Sequence, residues 1–306
     1  MIIAVFPGQG SQTPGFLTPW LELDEVRERL DTFSQQSGVD LVAAGTEWDA
    51  DRIRDTSVAQ PLIVAASLVS WAALNERAGA PVAGVAGHSV GEIAALAASG
   101  VVSDDDALRL VGLRGRAMAE AAASVETGMS AVVGGDEAAV LERLDALGLT
   151  PANYNGGGQI VAAGELPALA ELAADAPRGT RVIALQVAGA FHTRFMEPAV
   201  ETLRSAAADV AVSDPTTTLW TNSDGSVVTG GRRALDLVVA QVASPVRWDR
   251  CMASFAEHGV TGIIELSPAG ALTGLAKRAL RGTPTVAVKT PDDLDAAVSL
   301  LKEDQA

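Results

Sequence analysis

A serine between two glycines, Ser89, is the residue best placed in the sequence for covalent chemistry. Its segment, Gly87–Gly91, reads Gly-x-Ser-x-Gly and falls between an apolar run (82–86) and a run of small residues (90–98). Between a strand and a helix this pattern is typical of a nucleophile elbow, in which the glycines permit a sharp turn and the serine projects from it. The backbone N–H of Val90 then lies at the helix N-terminus, where it can stabilise an oxyanion. A tight turn with a capping serine is the alternative interpretation.

A nucleophilic serine needs a general base, and the chain contains three histidines. His88 adjoins Ser89 in the elbow, where neighbouring side chains normally point apart. His258 precedes Gly259 at the end of a predicted helix, which favours a structural role. His192 follows a predicted strand, at the seam between two predicted domains. Elimination therefore favours His192 as the base, although a lone histidine after a strand is also compatible with a structural role.

Apolar runs and helical periodicity predict α/β structure in both terminal parts of the chain. Short apolar runs predict strands over 2–6, 82–86, 262–266 and 285–288. Amphipathic or small-residue patterns predict helices over 23–36, 57–77, 90–98, 104–122, 194–208, 231–243, 247–258 and 270–281. Ser103 and the three aspartates after it indicate an N-cap and an acidic first turn for the helix over 104–122.

The pattern between these parts is different. It predicts a strand over 129–133, a helix over 136–147, strands over 152–155 and 159–163, a helix over 167–174 and a strand over 181–187. The order β-α-β-β-α-β is that of a ferredoxin-like unit. The sequence therefore predicts a large α/β domain formed by 1–123 and 190–306, with a small ferredoxin-like domain, 124–189, inserted into it.

Composition excludes several classes of protein. The chain has 306 residues, of which 48% are hydrophobic, so it can bury a large core and disorder is not expected. Its net charge of −16 excludes an overall basic footprint for nucleic acid. A single cysteine, Cys251, excludes an internal disulfide and a cysteine-rich metal site, and it fits a reducing cytosolic compartment.

From the sequence we expect no signal that directs the chain to a membrane. Met1 leads directly into an apolar strand without a basic segment, which argues against a signal peptide. We expect no charge-free apolar run long enough to span a bilayer. The polar end, 302–306, together with the short N-terminal end, favours a freestanding enzyme.

Several motifs extend the argument beyond the elbow. In chain order they are Phe6–Gln12 (Phe-Pro-Gly-Gln-Gly-Ser-Gln), Gly87–Glu92, Arg114-Gly115, Gly189–His192, Ser244–Trp248 and Leu272–Leu275. Together they resemble the malonyl-CoA:acyl carrier protein transacylases of bacterial fatty acid synthesis and the related acyltransferase domains of polyketide synthases. The resemblance covers essentially the whole chain. It implies an α/β fold, with an α/β-hydrolase-like large domain built on a parallel sheet and an inserted ferredoxin-like domain.

The resemblance also implies a ping-pong reaction. Ser89 would attack the malonyl thioester, CoA would leave, and the phosphopantetheine thiol of acyl carrier protein would then attack the malonyl-serine ester. His192 would act as base and then as acid. The backbone N–H groups of Gln9 and Val90 would form the oxyanion hole. No permanently bound cofactor and no metal are expected.

Substrate contacts follow from the same resemblance. Arg114 lies mid-helix, where an arginine is usually solvated, but its apolar neighbours favour burial and the family uses an arginine here to bind the malonyl carboxylate. Phe191 resembles the malonyl-selective members, in which a bulky ring crowds a 2-methyl branch. Asn153 and Asn155 match an asparagine pair near the active site. Without the family, Asn155-Gly156 would indicate a hairpin turn.

The base needs an orienting partner, and the family supplies it with a backbone carbonyl. The matching position is Arg247, where many relatives have glutamine, so we expect only its backbone to serve.

An acidic enzyme repels an acidic carrier protein at long range, so docking requires a local basic patch. The candidate residues are Arg178, Arg181, Arg194, Arg250, Lys277, Arg278 and Arg281. Each is otherwise a solvated surface charge. The partners expected are malonyl-CoA and acyl carrier protein, with no nucleic acid and no membrane, and the chain is expected to be a cytoplasmic monomer.

Three alternatives stay open. A polyketide-pathway acyltransferase with methylmalonyl or another acyl preference would share the chemistry. A serine esterase or thioesterase of the α/β-hydrolase kind needs an acid between its serine and a late histidine, and His192 fits that order poorly. A catalytically silent carrier-binding module would have no reason to retain Ser89, His192 and Arg114 together.

Overall fold

The computed structural model describes residues 1–79 and 81–303. These residues contain the strands Ile2–Phe6 (β1), Gly84–Gly87 (β2), Thr127–Gly134 (β3), Thr150–Gly156 (β4), Gln159–Glu165 (β5), Thr180–Ala184 (β6), Thr218–Leu219 (β7), Gly262–Glu265 (β8) and Thr285–Ala287 (β9). Most of the predicted polar end, 304–306, lies outside the described residues.

The α-helices of the described chain alternate with these strands. They are Val26–Ser37 (α1), Leu41–Thr46 (α2), Thr56–Ala78 (α3), Gly91–Ala98 (α4), Asp104–Ala123 (α5), Glu137–Ala146 (α6), Leu166–Ala174 (α7), Glu197–Ala208 (α8), Gly231–Gln241 (α9), Trp248–Glu257 (α10), Ala271–Ala279 (α11) and Leu294–Glu303 (α12). Short 3-10 turns occupy Thr18–Glu22, Arg52–Arg54, Arg194–Met196 and Pro291–Asp293.

Five strands form a parallel sheet in the order β7-β2-β1-β8-β9. Every residue of β1 is buried, as expected for a continuous apolar run in a parallel sheet covered on both faces. The central strands β1 and β2 are neighbours, and Phe6 pairs with Gly87. The loops that follow these two strands therefore leave the same edge of the sheet, and they carry the first two sequence motifs.

A separate antiparallel sheet has the order β4-β5-β3-β6. Its elements follow one another as β3, α6, β4, β5, α7 and β6, which confirms the predicted β-α-β-β-α-β order. The predicted fold class, a parallel sheet with a second, smaller sheet, is confirmed as well. The domain boundaries at 123/124 and 189/190 stay a prediction.

The smaller sheet is hydrogen-bonded to the chain segment that precedes α10. The N–H of Val246 donates to the carbonyl of Ala152 at 2.9 Å, and the N–H of Tyr154 donates to the carbonyl of Val246 at 2.9 Å. Edge strand β4 is thereby tied to the same segment that carries the fifth sequence motif. This pairing fixes Asn153 and Asn155 relative to the parallel sheet.

Three elements were not predicted from the sequence, and several bounds shift by a few residues. Helix α2 has six residues and β7 has two, too few for a periodic signal. Helix α12 does have one, because Leu294, Ala297, Val298 and Leu301 are buried at helical spacing. Strand β6 ends at Ala184 and not at the predicted residue 187.

The expectation about apolar runs was wrong as stated. Helix α3 carries no charged residue between Thr56 and Asn75 and is long and apolar enough to cross a membrane by length and composition. In the most apolar window of this helix, 78% of the residues are buried inside the protein. Burial of this kind is characteristic of a core helix, and α3 packs against α5 and α4.

Candidate active site

The turn between β2 and α4 is a nucleophile elbow in its geometry. Ser89 has a φ of 53°, in the left-handed region that non-glycine residues rarely occupy. A Cβ on Gly87 would lie 2.0 Å from the carbonyl carbon of Gly91, and one on Gly91 would lie 2.2 Å from the carbonyl oxygen of Phe6. Both glycines are therefore required by backbone packing, which explains the spacing of the motif.

We expect Gly91→Ala to lower the free energy of unfolding by at least about 3 kcal/mol, because backbone atoms must move to admit the methyl group. Gly274→Ala is the matched control, since Gly274 lies inside α11 with nothing within 4 Å of a Cβ. Helix propensity predicts a gain of up to about 1 kcal/mol for that control. Urea unfolding measures both, and equal effects of the two substitutions would contradict the argument.

Ser89 and His192 form a hydrogen-bonded pair. The Ser89 Oγ lies 2.7 Å from His192 Nε2, and His192 Nδ1 lies 2.8 Å from the carbonyl oxygen of Gln241. A carbonyl oxygen only accepts, so Nδ1 carries the proton and Nε2 has a free lone pair toward the serine. This is the tautomer that a general base requires.

His192 is kept neutral by its surroundings. Burial lowers its pKa from 6.5 to about 3, and the positive charge of Arg114 is the second cause. The imidazole is therefore unprotonated throughout the neutral range. It can accept the serine proton without first losing one of its own.

This low pKa predicts a pH-dependent loss of stability. Below pH 6.5 the unfolded chain binds a proton at His192 and the folded chain does not, so stability falls until the pH reaches about 3. Between pH 7 and pH 5 the native protein should lose about 2 kcal/mol more than a His192→Gln variant. Chemical denaturation at the two pH values measures the difference. Parallel pH trends for the two proteins would contradict it.

Arg114 is 1% exposed in the middle of α5. Its Nη1 donates to Gln60 Oε1 at 2.6 Å and its Nη2 to Gln241 Oε1 at 3.0 Å, while its buried Nε has no hydrogen-bond partner. Burial lowers its pKa to about 10, so it stays charged at neutral pH. A guanidinium has five N–H groups, and amides take only two here, so a planar anion can still bind to the rest.

One cavity of about 350 Å³ joins these groups. Its lining includes Ser89, His192, Arg114, Phe191, Asn153, Asn155, Gln9 and Val90. The backbone N–H groups of Gln9 and Val90 donate to no other group among the described residues. The structure thus brings together every predicted site residue except Arg247.

Arg247 does not orient the histidine, which corrects the expectation. It stands at the N-cap of α10, where its carbonyl accepts from the N–H groups of Arg250 and Cys251. The carbonyl that meets His192 belongs to Gln241, the last residue of α9, where helix carbonyls lack partners within the helix. The Arg247 side chain forms an ion pair with Asp249 at 2.6 Å.

Five site residues were not predicted. His88 lines the cavity, although we expected it to point away from Ser89, and its Nε2 meets Asn155 Oδ1 at 2.9 Å. Gln60 is a polar residue within the apolar helix α3, which is a signal that sequence reasoning could use. Glu92 gives the same kind of signal, as the one charged residue in the small-residue helix α4. Asn222 and Gln241 carry no such signal, because the site groups that they contact are distant in sequence. Among residues 1–79 and 81–303, no group of three or more His, Cys, Asp and Glu is placed to hold a metal ion.

The match to known families identifies the class. The model of the acyl transferase domain family matches residues 3–303 of this chain. That match, together with the parallel sheet, the separate antiparallel sheet and the serine at the elbow, defines an acyltransferase.

The individual relatives identify a narrower family than the domain model does. The malonyl CoA-acyl carrier protein transacylase of Mycobacterium tuberculosis is 54% identical over 303 residues, which cover 98% of this chain and 100% of the relative. The crystal structure of MCAT from Mycobacterium tuberculosis has a TM-score of 0.94 and 53% identity, covering 97% of this chain and 100% of that one. A malonyl-transacylase solved in complex with its type II PKS acyl-carrier protein has a TM-score of 0.91 and 30% identity, covering 98% and 99%. The chain belongs to the malonyl CoA-acyl carrier protein transacylase family.

Proposed function

We propose that this chain transfers a malonyl group from malonyl-CoA to the phosphopantetheine thiol of an acyl carrier protein, through an ester on Ser89. The observation that carries the proposal is the cavity that holds both a Ser89–His192 pair and a buried arginine with an unpartnered N–H. The pair suits a thioester carbonyl, and the arginine suits a free carboxylate. The matched relatives are named for this reaction.

The first half-reaction breaks the thioester. The Ser89 Oγ attacks the carbonyl carbon while its proton passes to His192 Nε2, across the 2.7 Å hydrogen bond. The oxyanion accepts from the N–H groups of Gln9 and Val90. When the C–S bond breaks, His192 returns the proton to the departing CoA sulfur.

The second half-reaction runs the same steps with a new thiol. The phosphopantetheine sulfur attacks the ester carbonyl, its proton passes to His192, and the proton then moves to the Ser89 oxygen as the C–O bond breaks. The enzyme is regenerated without a permanently bound cofactor. Arg114 binds the malonyl carboxylate in both halves, and Phe191, Asn153 and Asn155 shape the pocket around the acyl chain.

The direct test mixes the protein with malonyl-CoA and an acyl carrier protein carrying its phosphopantetheine arm. Intact mass spectrometry of the carrier should show one added malonyl group, with an equal amount of free CoA. The same carrier without its arm is the control and should remain unmodified. Release of CoA and free malonate without a malonylated carrier would indicate a hydrolase and overturn the proposal.

A polyketide carrier is the second candidate partner. One structural relative was solved with its type II PKS acyl-carrier protein, and this chain covers 99% of that relative. The transfer assay with one fatty acid carrier and one polyketide carrier compares the two by kcat/KM. Methylmalonyl-CoA as a competing donor tests the role of Phe191, whose ring should disfavour the extra methyl by about 1–3 kcal/mol.

Carrier docking is proposed to use arginines near the cavity mouth. Arg181 is exposed on β6, whose continuation at Leu185 and Val187 lines the cavity, and Arg194 is exposed two residues after His192. Their positive charge suits an acidic carrier despite the net charge of −16. The other members of the candidate patch are exposed as well, namely Arg178, Arg250, Lys277, Arg278 and Arg281.

Reversing both charges, Arg181→Glu with Arg194→Glu, should raise the KM for the carrier about tenfold, because rim charges contribute up to about 1 kcal/mol each. Acylation of Ser89 by a malonyl thioester of N-acetylcysteamine, which has no phosphate, should be unchanged. Arg109→Glu with Arg204→Glu alters the net charge equally on exposed helix positions and is the matched control. An equal rise in KM for both pairs would contradict a local patch.

The cellular setting belongs to the same proposal. A buried single thiol, Cys251, and the absence of any possible internal disulfide fit a reducing cytoplasm. We propose that the enzyme acts there as a monomer. Light scattering of the purified chain tests the monomer directly.

A further inference from the structure

The side chain of Asn222 bridges the two sides of the nucleophile elbow. It is fully buried in the loop after β7. Its Nδ2 donates to the carbonyl of Gly87 at 2.7 Å, and its Oδ1 accepts from the N–H of Ser89 at 2.8 Å. One amide thus holds the backbone on both sides of His88.

The carboxylate of Glu92 holds Asn222 from the other side. Glu92 Oε1 accepts from the backbone N–H of Asn222 at 2.7 Å, and its Oε2 accepts from Gln241 Nε2. Gln241 Nε2 also lies 3.1 Å from both the Ser89 carbonyl and Asn222 Oδ1. Glu92 is 3% exposed and Gln241 4%, so water does not compete for these bonds.

We infer that Asn222 is a positioning residue that holds Ser89 in its reactive conformation, and that Glu92 fixes Asn222 in turn. This inference deepens the proposed function and takes its serine nucleophile from it. A left-handed φ at a non-glycine residue costs roughly 1–3 kcal/mol, which is comparable to the two bonds from the Asn222 amide. Without that amide the turn relaxes, and the Ser89 Oγ loses its alignment with His192 Nε2.

The same contacts define which amides are free for catalysis. Because the Ser89 N–H is occupied by Asn222 Oδ1, it is withdrawn from the oxyanion hole. The N–H groups of Gln9 and Val90, which donate to no group among the described residues, remain available for that role. Asn222 is linked to Arg114 indirectly, because Gln241 donates to Asn222 Oδ1 and accepts from Arg114 Nη2. The Ser89 carbonyl and Glu92 Oε2 also accept from Gln241 Nε2, so Gln241 keeps partners when Asn222 is removed. The loss of Asn222 should therefore affect the reactivity of the serine more than the binding of the malonyl carboxylate.

The test measures serine reactivity without malonyl-CoA. A fluorophosphonate probe, which has neither a carboxylate nor a CoA group, reports the second-order rate at which Ser89 is labelled. Asn222→Ala should lower that rate about 10²-fold, as expected for a misplaced reacting group, with the KM for malonyl-CoA changed less than threefold. Ser70→Ala removes a buried hydroxyl that accepts from the Ser267 N–H in the core, and it should label at the native rate.

A second variant guards against a loss of folding. Asn222→Asp keeps the acceptor for the Ser89 N–H and, when protonated, can also donate to the Gly87 carbonyl. The groups around it are the Glu92 carboxylate and the Cys251 thiol, which lies 3.7 Å from Asn222 Nδ2. The labelling rate of Asn222→Asp should therefore recover as the pH is lowered and the new carboxylate takes up a proton. The labelling rate of Asn222→Ala should not recover.

The outcomes separate this inference from the proposed function. Labelling of Asn222→Ala within twofold of the native rate would overturn it, and so would equal slowing in Ser70→Ala. An Asn222→Asp variant that is slow at every pH would overturn it as well. If the native chain is labelled but never malonylated, the proposed function fails while the positioning role is still measured.

Discussion

Replacing Ser89 by alanine is expected to abolish the covalent malonyl-enzyme. After brief mixing with malonyl-CoA, intact mass spectrometry should show one added malonyl group on the native chain and none on Ser89→Ala. Transfer to the carrier should fall by at least about 10⁴-fold, because the variant keeps only the binding and oxyanion groups. The Ser89 Oγ is the only hydroxyl placed 2.7 Å from His192 Nε2 among the described residues.

Ser11 is the matched control for that experiment. It lines the same cavity and its buried Oγ has no hydrogen-bond partner, so it is the other hydroxyl that a malonyl group could reach. Ser11→Ala should acquire the malonyl group normally. A malonyl increment that persists in Ser89→Ala would assign the nucleophile to another residue and refute the elbow interpretation.

Removing Arg114 is expected to abolish the preference of the enzyme for a donor with a free carboxylate, malonyl-CoA, over acetyl-CoA. Arg114→Ala should lower kcat/KM for malonyl-CoA by about 10²–10⁴-fold, since it deletes two or more charge-assisted hydrogen bonds in a buried site. With acetyl-CoA, which has no carboxylate to bind, the loss should be much smaller. The ratio of the two kcat/KM values is therefore the measurement.

Two further variants control for the structural cost of this change. Arg114→Lys keeps the charge but not the planar fork, so it should recover only part of the malonyl preference. Arg109→Ala removes an exposed arginine from the same helix and should leave the ratio unchanged. Equal losses of kcat/KM with malonyl-CoA and acetyl-CoA in Arg114→Ala would mean that the arginine stabilises the fold and does not bind the malonyl carboxylate.

The parts of the site that the sequence predicted are those encoded within a few residues. The elbow could be predicted because Gly87, Ser89 and Gly91 meet one another in a single turn. The elements of the antiparallel sheet could be predicted because each strand and helix carries its own short apolar pattern, and short turns separate them in the order β-α-β-β-α-β. His192 could be reached by elimination, since only three histidines exist.

The parts that escaped prediction depend on distant packing. Asn222 is 133 residues from Ser89 in the sequence, and Gln241 is 152 residues from it. Contacts between residues so far apart produce no periodic pattern in the sequence. The orienting carbonyl was assigned to Arg247 because its motif matches the family. The real partner depends on where α9 ends, since that end frees the Gln241 carbonyl for His192.

The positive charge of Arg114 acts on the general base, His192, as well as on the substrate. Its positive charge is one cause of the low pKa of His192, and a carboxylate bound to the guanidinium offsets that charge. Burial is the larger cause of the low pKa, so with the proposed binding of malonyl to Arg114 we expect only a partial rise in the pKa of His192, and none with an acetyl donor. We expect this difference to show in the rate of Ser89 acylation at saturating donor, in addition to the difference in binding.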